Sequence, residues 1–194
     1  IPAEDLPTSR SFDSTLEGHP TTRFPYTETA TGSLGQGMSI ALGMALAKKK
    51  RNDRRLVFSL HGDGELQEGQ NWEAMMFAAH HIVDNLVATV DCNNQQIDGT
   101  VHQVMSLGAL QDKFLAFGWE VFTMQGNDME EVVETIGRAQ EACGKKQPVA
   151  ILMTTKMGSG VDFMEDDHRW HGVAPNDDQL ASALEQLPET LGDY

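Results

Sequence analysis

Two short polar strings hold most of the chemistry this sequence can offer. Gly62-Asp63-Gly64 and Asp91-Cys92-Asn93-Asn94 each follow an apolar run, and Asn93 comes thirty residues after Asp63. A carboxylate and an amide oxygen held side by side are hard ligands. They suit Mg²⁺ or Ca²⁺, with phosphate oxygens and water completing the shell. Glycines on both sides of Asp63 let the backbone approach a phosphate closely. A helix starting just beyond them would turn its N-terminus toward an anion. The pattern points to a metal-bridged diphosphate site. GDG alone would equally describe a tight strand-to-helix turn with a solvated Asp; the offset of Asn93 favours the ligand reading.

The elements around these strings are readable from periodicity. Leu56 to Leu60 and Leu86 to Val90 read as buried strands. Glu68 to Ile82 reads as a helix, with Trp72, Met75, Met76 and Ala79 on one stripe. Strand, helix, strand at this length is a parallel unit with both strand tips on one rim, the rim where open α/β sheets bind ligands. Later elements keep the alternation: a helix over 110–117 closed by Gly118, a strand over 119–124, and a helix from Met129 to Ala142 with Val132, Val133, Ile136 and Ala139 inward. A strand follows from Val149 to Thr154, its end running into a loop over 155–160. An amphipathic helix then runs from Asp177 to Leu187, with Leu180, Ala183, Leu184 and Leu187 as its apolar side. The expected class is α/β, a doubly wound, mostly parallel sheet with helices on both faces. No linker or repeat divides residues 1–194, so a single domain is expected.

Composition narrows the partners. The 194 residues have a formal net charge of −15, which argues against nucleic acid and anionic membranes. Cys92 and Cys143 are too few for a disulfide framework and fit a reducing, cytoplasmic setting. No apolar run is long enough to cross a bilayer, and no signal peptide is visible.

Three further stretches carry candidate groups. Gly18-His19-Pro20 lies in a polar, turn-rich segment. Thr31-Gly32-Ser33-Leu34-Gly35-Gln36-Gly37 opens a helix, Met38 to about Lys49, whose Ala41, Gly43, Ala45 and Ala47 would allow close packing. It lacks the Walker pattern. Asp167-His168-Arg169-Trp170-His171-Gly172 sets a His between an aromatic residue and a glycine. Adjacent His80 and His81 have no second His at zinc-ligand spacing. His61, just before GDG, is open to either a structural or a functional reading.

The strings GDGELQEGQNWEA, NNQQIDG, TGSLGQG and WHGVAPN are similar to those of transketolase. More narrowly, they resemble the separate N-terminal subunit of transketolases made of two chains. The likeness runs from Gly18 to about Leu187. It implies thiamine diphosphate as cofactor and transfer of a two-carbon ketol unit between sugar phosphates. It implies a diphosphate clamp of Asp63, Asn93 and the Gln95 carbonyl around Mg²⁺, with Gly64 beside it. Gly32, Ser33 and Leu34 would line the aminopyrimidine end. His19, thirteen residues before Gly32 as in the family, and His171 would be catalytic, His171 also meeting the diphosphate. Glu68 and Glu73 would join an acid cluster at a subunit interface. The family's pyrimidine-binding domain and a first N-terminal part with further histidines have no counterpart here. A partner chain, a heterotetramer with self-association, and inactivity of the isolated chain are the resulting expectations. The alternatives are another thiamine enzyme, such as a deoxyxylulose phosphate synthase or a 2-oxoacid dehydrogenase component, or a non-catalytic scaffold. EGQNWEA and QIDG argue against both enzymes.

Overall fold

A computed structural model describes residues 1–187. Four parallel strands form its centre: β1 (Val57–Gly62), β2 (Leu86–Cys92), β5 (Glu120–Gln125) and β6 (Val149–Thr154), in the order β1-β2-β6-β5. A two-stranded antiparallel hairpin, β3 (Gln95–Gln96) with β4 (Gly99–Thr100), stands at the tip of β2. The helices are α1 (Gln36–Lys50), α2 (Gly69–His80), α3 (Val101–Met105), α4 (Leu110–Ala116), α5 (Met129–Ala142) and α6 (Asp177–Gln186). This is the α/β class expected from the alternation of apolar runs.

Strand alternation divides the core into two layers. Leu86, Ala88 and Val90 of β2, with Ala150 and Leu152 of β6, face α1, α2 and α4. Val87, Val149, Ile151 and Met124 face α5 on the other side. Trp119 and Phe114 meet edge-on at 5.4 Å, and the Trp119 indole N–H donates to the Met75 carbonyl at 3.0 Å. That bond satisfies the indole, which would otherwise be buried at a cost. The cover over the second layer is incomplete. Phe58 and Leu60 of edge strand β1 remain 49% and 68% exposed, although parallel sheets are normally covered on both faces.

Several burial expectations need correction. On α2 the buried residues are Asn71, Ala74, Met75 and Ala78, whereas Met76 is half exposed. Asn71 takes the inward place because its amide donates to the Glu65 carbonyl at 2.8 Å. On α5 Val133 is exposed and Thr135 is buried, since positions 132, 135, 136 and 139 share one helical face. On α1 Ala41 and Ala45 pack inward, but Gly43 and Ala47 are exposed. On α6 only Ala183 is buried; Leu180, Leu184 and Leu187 are exposed. The helix ends follow stronger local signals. Asp128 caps α5 by accepting from the Glu130 and Glu131 amides, and Asn176 with Gln179 forms a capping box on α6.

Candidate functional site

Pairing of β1 with β2 in parallel places Gly62 opposite Asp91. The chain leaves both strands on the same rim. Asp63 then turns back over the end of β2: its amide donates to the Asp91 carbonyl at 3.0 Å. Its carboxylate accepts the Gly64 amide at 2.8 Å and the Asn94 amide at 2.7 Å. The second contact needs Asn94 to adopt a left-handed backbone, φ 57°, which Asn tolerates better than most residues. The two polar strings are thus joined directly, through backbone hydrogen bonds to one carboxylate. The structure corrects one detail. A 3₁₀ turn, Gly64–Gln67, follows Asp63, and α2 starts only at Gly69, so α2 does not begin at the GDG turn.

The neighbouring oxygens are arranged around that carboxylate. The Asn93 side-chain oxygen accepts the Gln95 amide at 2.8 Å, and its NH₂ points to Asp91 at 3.4 Å. Asp91 is held from the far side by the Thr155 hydroxyl. The Gln96 side chain lies against Gly64: a Cβ there would come within 3.3 Å of its Oε1. The side-chain oxygens of Gln95 and Gln96 are buried without a hydrogen-bond partner. Burial first, then the charge of Asp91, push the Asp63 carboxyl above the usual carboxylate range, although the backbone amides of Asn94, Gly64 and Asp63 itself pull the other way. The rim holds a buried carboxylate with a second one nearby, and the hairpin after β2 carries two buried amide oxygens without partners. That donor set fits a hard divalent cation. Among the described residues no three His, Cys, Asp or Glu side chains converge on a common point; the oxygens come from a carboxylate and amides. Cys92 lies beside this pocket, and burial with the charges of Asp63 and Asp91 pushes its thiol up to about 12. It is therefore a packed thiol and not a nucleophile at neutral pH.

The glycine string ahead of α1 lies across from the GDG turn. Gly35, at φ 80°, is the N-cap of α1 and offers no side chain to its first turn. Glu65 supplies the missing acceptor: one carboxylate oxygen takes the Gly35 amide at 2.9 Å and the other takes the Gly62 amide at 3.3 Å. Burial raises the Glu65 carboxyl, but the nearby His61 imidazole and the bonds from the Gly35 and Gly62 amides outweigh it and hold it below the usual value. His61 is buried, with its Nε2 on the Ser59 hydroxyl at 2.9 Å, which favours its structural reading. His19 covers Gly32, so closely that a Cβ on Gly32 would lie 2.6 Å from the imidazole Cγ. Gly32, at φ 103°, therefore meets both demands that only glycine satisfies: a left-handed backbone and no side chain.

The remaining expected residues are placed less tightly. Ser33 and Leu34 are exposed on the glycine loop. His171 follows the 3₁₀ turn His168–Trp170 and is exposed; that turn packs against β4, the hairpin strand beside the rim. Glu68 and Glu73 are exposed on the outer side of α2. Sequence reasoning does not single out Asp91, Asn94, Thr155 or Glu65. The pairing of Gly62 with Asp91 is the signal that would flag the first. A cavity of about 760 Å³ lined by Lys49, Asp84, Asn85 and Cys143 lies at the opposite end of the strands, remote from these groups.

Comparison with known proteins bears on the chain as a whole. Positions 1–189 match the thiamine diphosphate-binding domain family of transketolase. The chain is 40% identical over 190 residues to one of the subunits of apulose-4-phosphate transketolase from Actinobacillus succinogenes, covering 97% of this chain and 68% of that one. It is 39% identical over 160 residues to a 6-deoxy-6-sulfo-D-fructose transketolase subunit of a Clostridium species, covering 82% of this chain and 58% of the relative. The crystal structure of transketolase from Campylobacter jejuni superposes with a TM-score of 0.88 at 33% identity, over 94% of this chain and 29% of that one.

Proposed function

This chain belongs to the transketolase thiamine diphosphate-binding domain family, and from that premise we propose that it is the diphosphate-binding half of a two-chain, Mg²⁺-dependent transketolase. Asp63, Asn93 and the Gln95 carbonyl hold the metal ion against the diphosphate, with Gly64 beside it. Gly32, Ser33 and Leu34 line the aminopyrimidine end. Bound thiamine diphosphate supplies the electron sink that cleavage of a ketose carbon–carbon bond requires. The chain's own residues supply position and proton control. His19, packed over Gly32, moves a proton at its imidazole nitrogen, and His171, on the loop after the 3₁₀ turn His168–Trp170, does so as well while also meeting the diphosphate. Imidazole is the side chain suited to proton transfer near neutral pH. The substrates are sugar phosphates in a cytoplasmic pentose phosphate exchange.

The observation that carries this reading is the Asp63 carboxylate, drawn onto the tip of the neighbouring strand by the Asn94 amide, with two buried and unpaired amide oxygens on the hairpin that follows. A solvated turn would have no use for that arrangement. The partner is a separate chain with the pyrimidine-binding domain, as the relatives' names as transketolase subunits suggest. Self-association uses the outer side of α2, which carries exposed Glu73, Met76 and Phe77, with Glu68 at its N-terminus. Residues 1–194 act as one diphosphate-binding domain. The test is an assay of ketol transfer from xylulose 5-phosphate to an aldose phosphate, with this chain alone and mixed with the pyrimidine-binding chain. Activity only in the mixture, and only with Mg²⁺ and thiamine diphosphate, is expected. Activity of the isolated chain would contradict the two-chain arrangement.

A further inference from the structure

We propose that Glu65 is a positioning residue that locks the glycine loop ahead of α1 to the GDG turn, so that the two ends of the cofactor site form one rigid unit. The proposal rests on the reading of this rim as a thiamine diphosphate site.

The geometry is that of a bridge. Glu65 accepts from Gly35 with one oxygen and from Gly62 with the other. These amides belong to the two separate segments proposed to bind opposite ends of one ligand. In an ordinary capping box, a side chain three residues into a helix reaches back to the N-cap amide. Here the N-cap is glycine, no side chain of α1 performs that task, and the acceptor comes from outside the helix. A carboxylate in that place also faces the positive end of α1. Glu65 is itself held. The Asn71 amide, fully buried in α2, donates to its carbonyl, and His61 Nδ1 lies 3.6 Å from its Oε2. Gln70 adds a second tie by donating to the Leu34 carbonyl at 3.3 Å. Gly35 is packed so closely on this clasp that a Cβ would lie 2.6 Å from Gln70 Nε2 and 2.8 Å from Glu68 Cβ. The residues between the GDG turn and α2 thus hold the loop that precedes α1.

A bridge between two half-sites has a signature that general stabilisation lacks. It affects a ligand that spans both halves and spares one that occupies a single half. The experiment compares Glu65→Ala, Glu65→Gln and wild type in the full chain by two readouts. The first is hydrogen exchange at the Gly35 amide without ligand. The second is calorimetric affinity, with Mg²⁺ present, for thiamine diphosphate and for inorganic pyrophosphate. In Glu65→Ala, Gly35 exchange is expected to quicken at least about tenfold. Thiamine diphosphate affinity should fall about tenfold, while pyrophosphate affinity stays within about twofold of wild type. Glu65→Gln keeps one acceptor oxygen and should recover part of the loss. Gln70→Ala, which leaves the Glu65 bonds intact, should produce the same imbalance between ligands on a smaller scale. Equal weakening of both ligands, or unchanged Gly35 exchange, would overturn the proposal. If wild type bound neither ligand under any condition, the cofactor reading would fail, and with it the positioning role. Gly35 exchange would still report whether the clasp exists as a purely structural tie.

Discussion

Asp63 is the residue on which the proposed metal site turns, and its environment sets a sign that can be tested. Burial and Asp91 raise its carboxyl above the ordinary 3.8. A raised carboxyl favours the folded state below the unfolded value, and that contribution is lost as pH climbs through the raised one. Glu65 runs the other way: its contribution is present above the ordinary 4.5 and is lost as pH falls through its lowered value. The stability of wild type relative to Asp63→Asn should therefore rise as pH is brought from about 7 toward about 4 without metal, read from urea midpoints; a fall would contradict the assignment. With Mg²⁺ and thiamine diphosphate at about a hundred times the dissociation constant, wild type should gain about 2.7 kcal/mol. That corresponds to roughly 5–10 °C in melting temperature for a chain of this size, and Asp63→Asn should gain none. Asp63 and Asn93 are legible in the sequence because side-chain type and offset point to them. The roles of Asn94 and Glu65 are not, because their partners include backbone amides brought close only by folding.

At the scale of elements, boundaries are legible where caps announce them and burial is not. Met129–Ala142 and Val149–Thr154 agree end for end with the periodicity, because Asp128 stops the preceding turn and apolar residues fill the strand. Met76 and Val133 mislead because their apolar character outweighs helical phase in a reading by residue type; the inward places go to Asn71 and Thr135. The hairpin β3–β4 and helix α3 are too short to show a period. Packing then supplies numbers. Phe114 is fully buried against Trp119, so Phe114→Ala should cost about 3–5 kcal/mol. Asp128→Ala removes the cap of α5 and should cost about 1 kcal/mol. Val133→Ala should stay within about 0.5 kcal/mol. Urea denaturation of the three variants checks the order, and a Val133 effect as large as that of Phe114 would refute the burial assignment.

The whole molecule carries more uncovered apolar surface than its acidity would suggest. Phe58 and Leu60 on β1, and Met76 and Phe77 on α2, are 43% exposed or more, in a chain of net charge −15. The chain spans 68% of the apulose-4-phosphate relative and 29% of the Campylobacter jejuni transketolase structure. If the proposed self-association uses α2, sedimentation of Met76→Glu should show more monomer than wild type at equal concentration; an unchanged distribution would contradict that proposal. The central claim is that Asp63 and Asn93 join a divalent ion to a diphosphate. Its most direct test is calorimetric titration of thiamine diphosphate into this chain mixed with the proposed pyrimidine-binding partner, with Mg²⁺ and again with a chelator. Binding that requires Mg²⁺ and disappears in Asp63→Asn is predicted. Equal affinity in chelator, or an Asp63→Asn variant that binds as wild type does, would contradict the account.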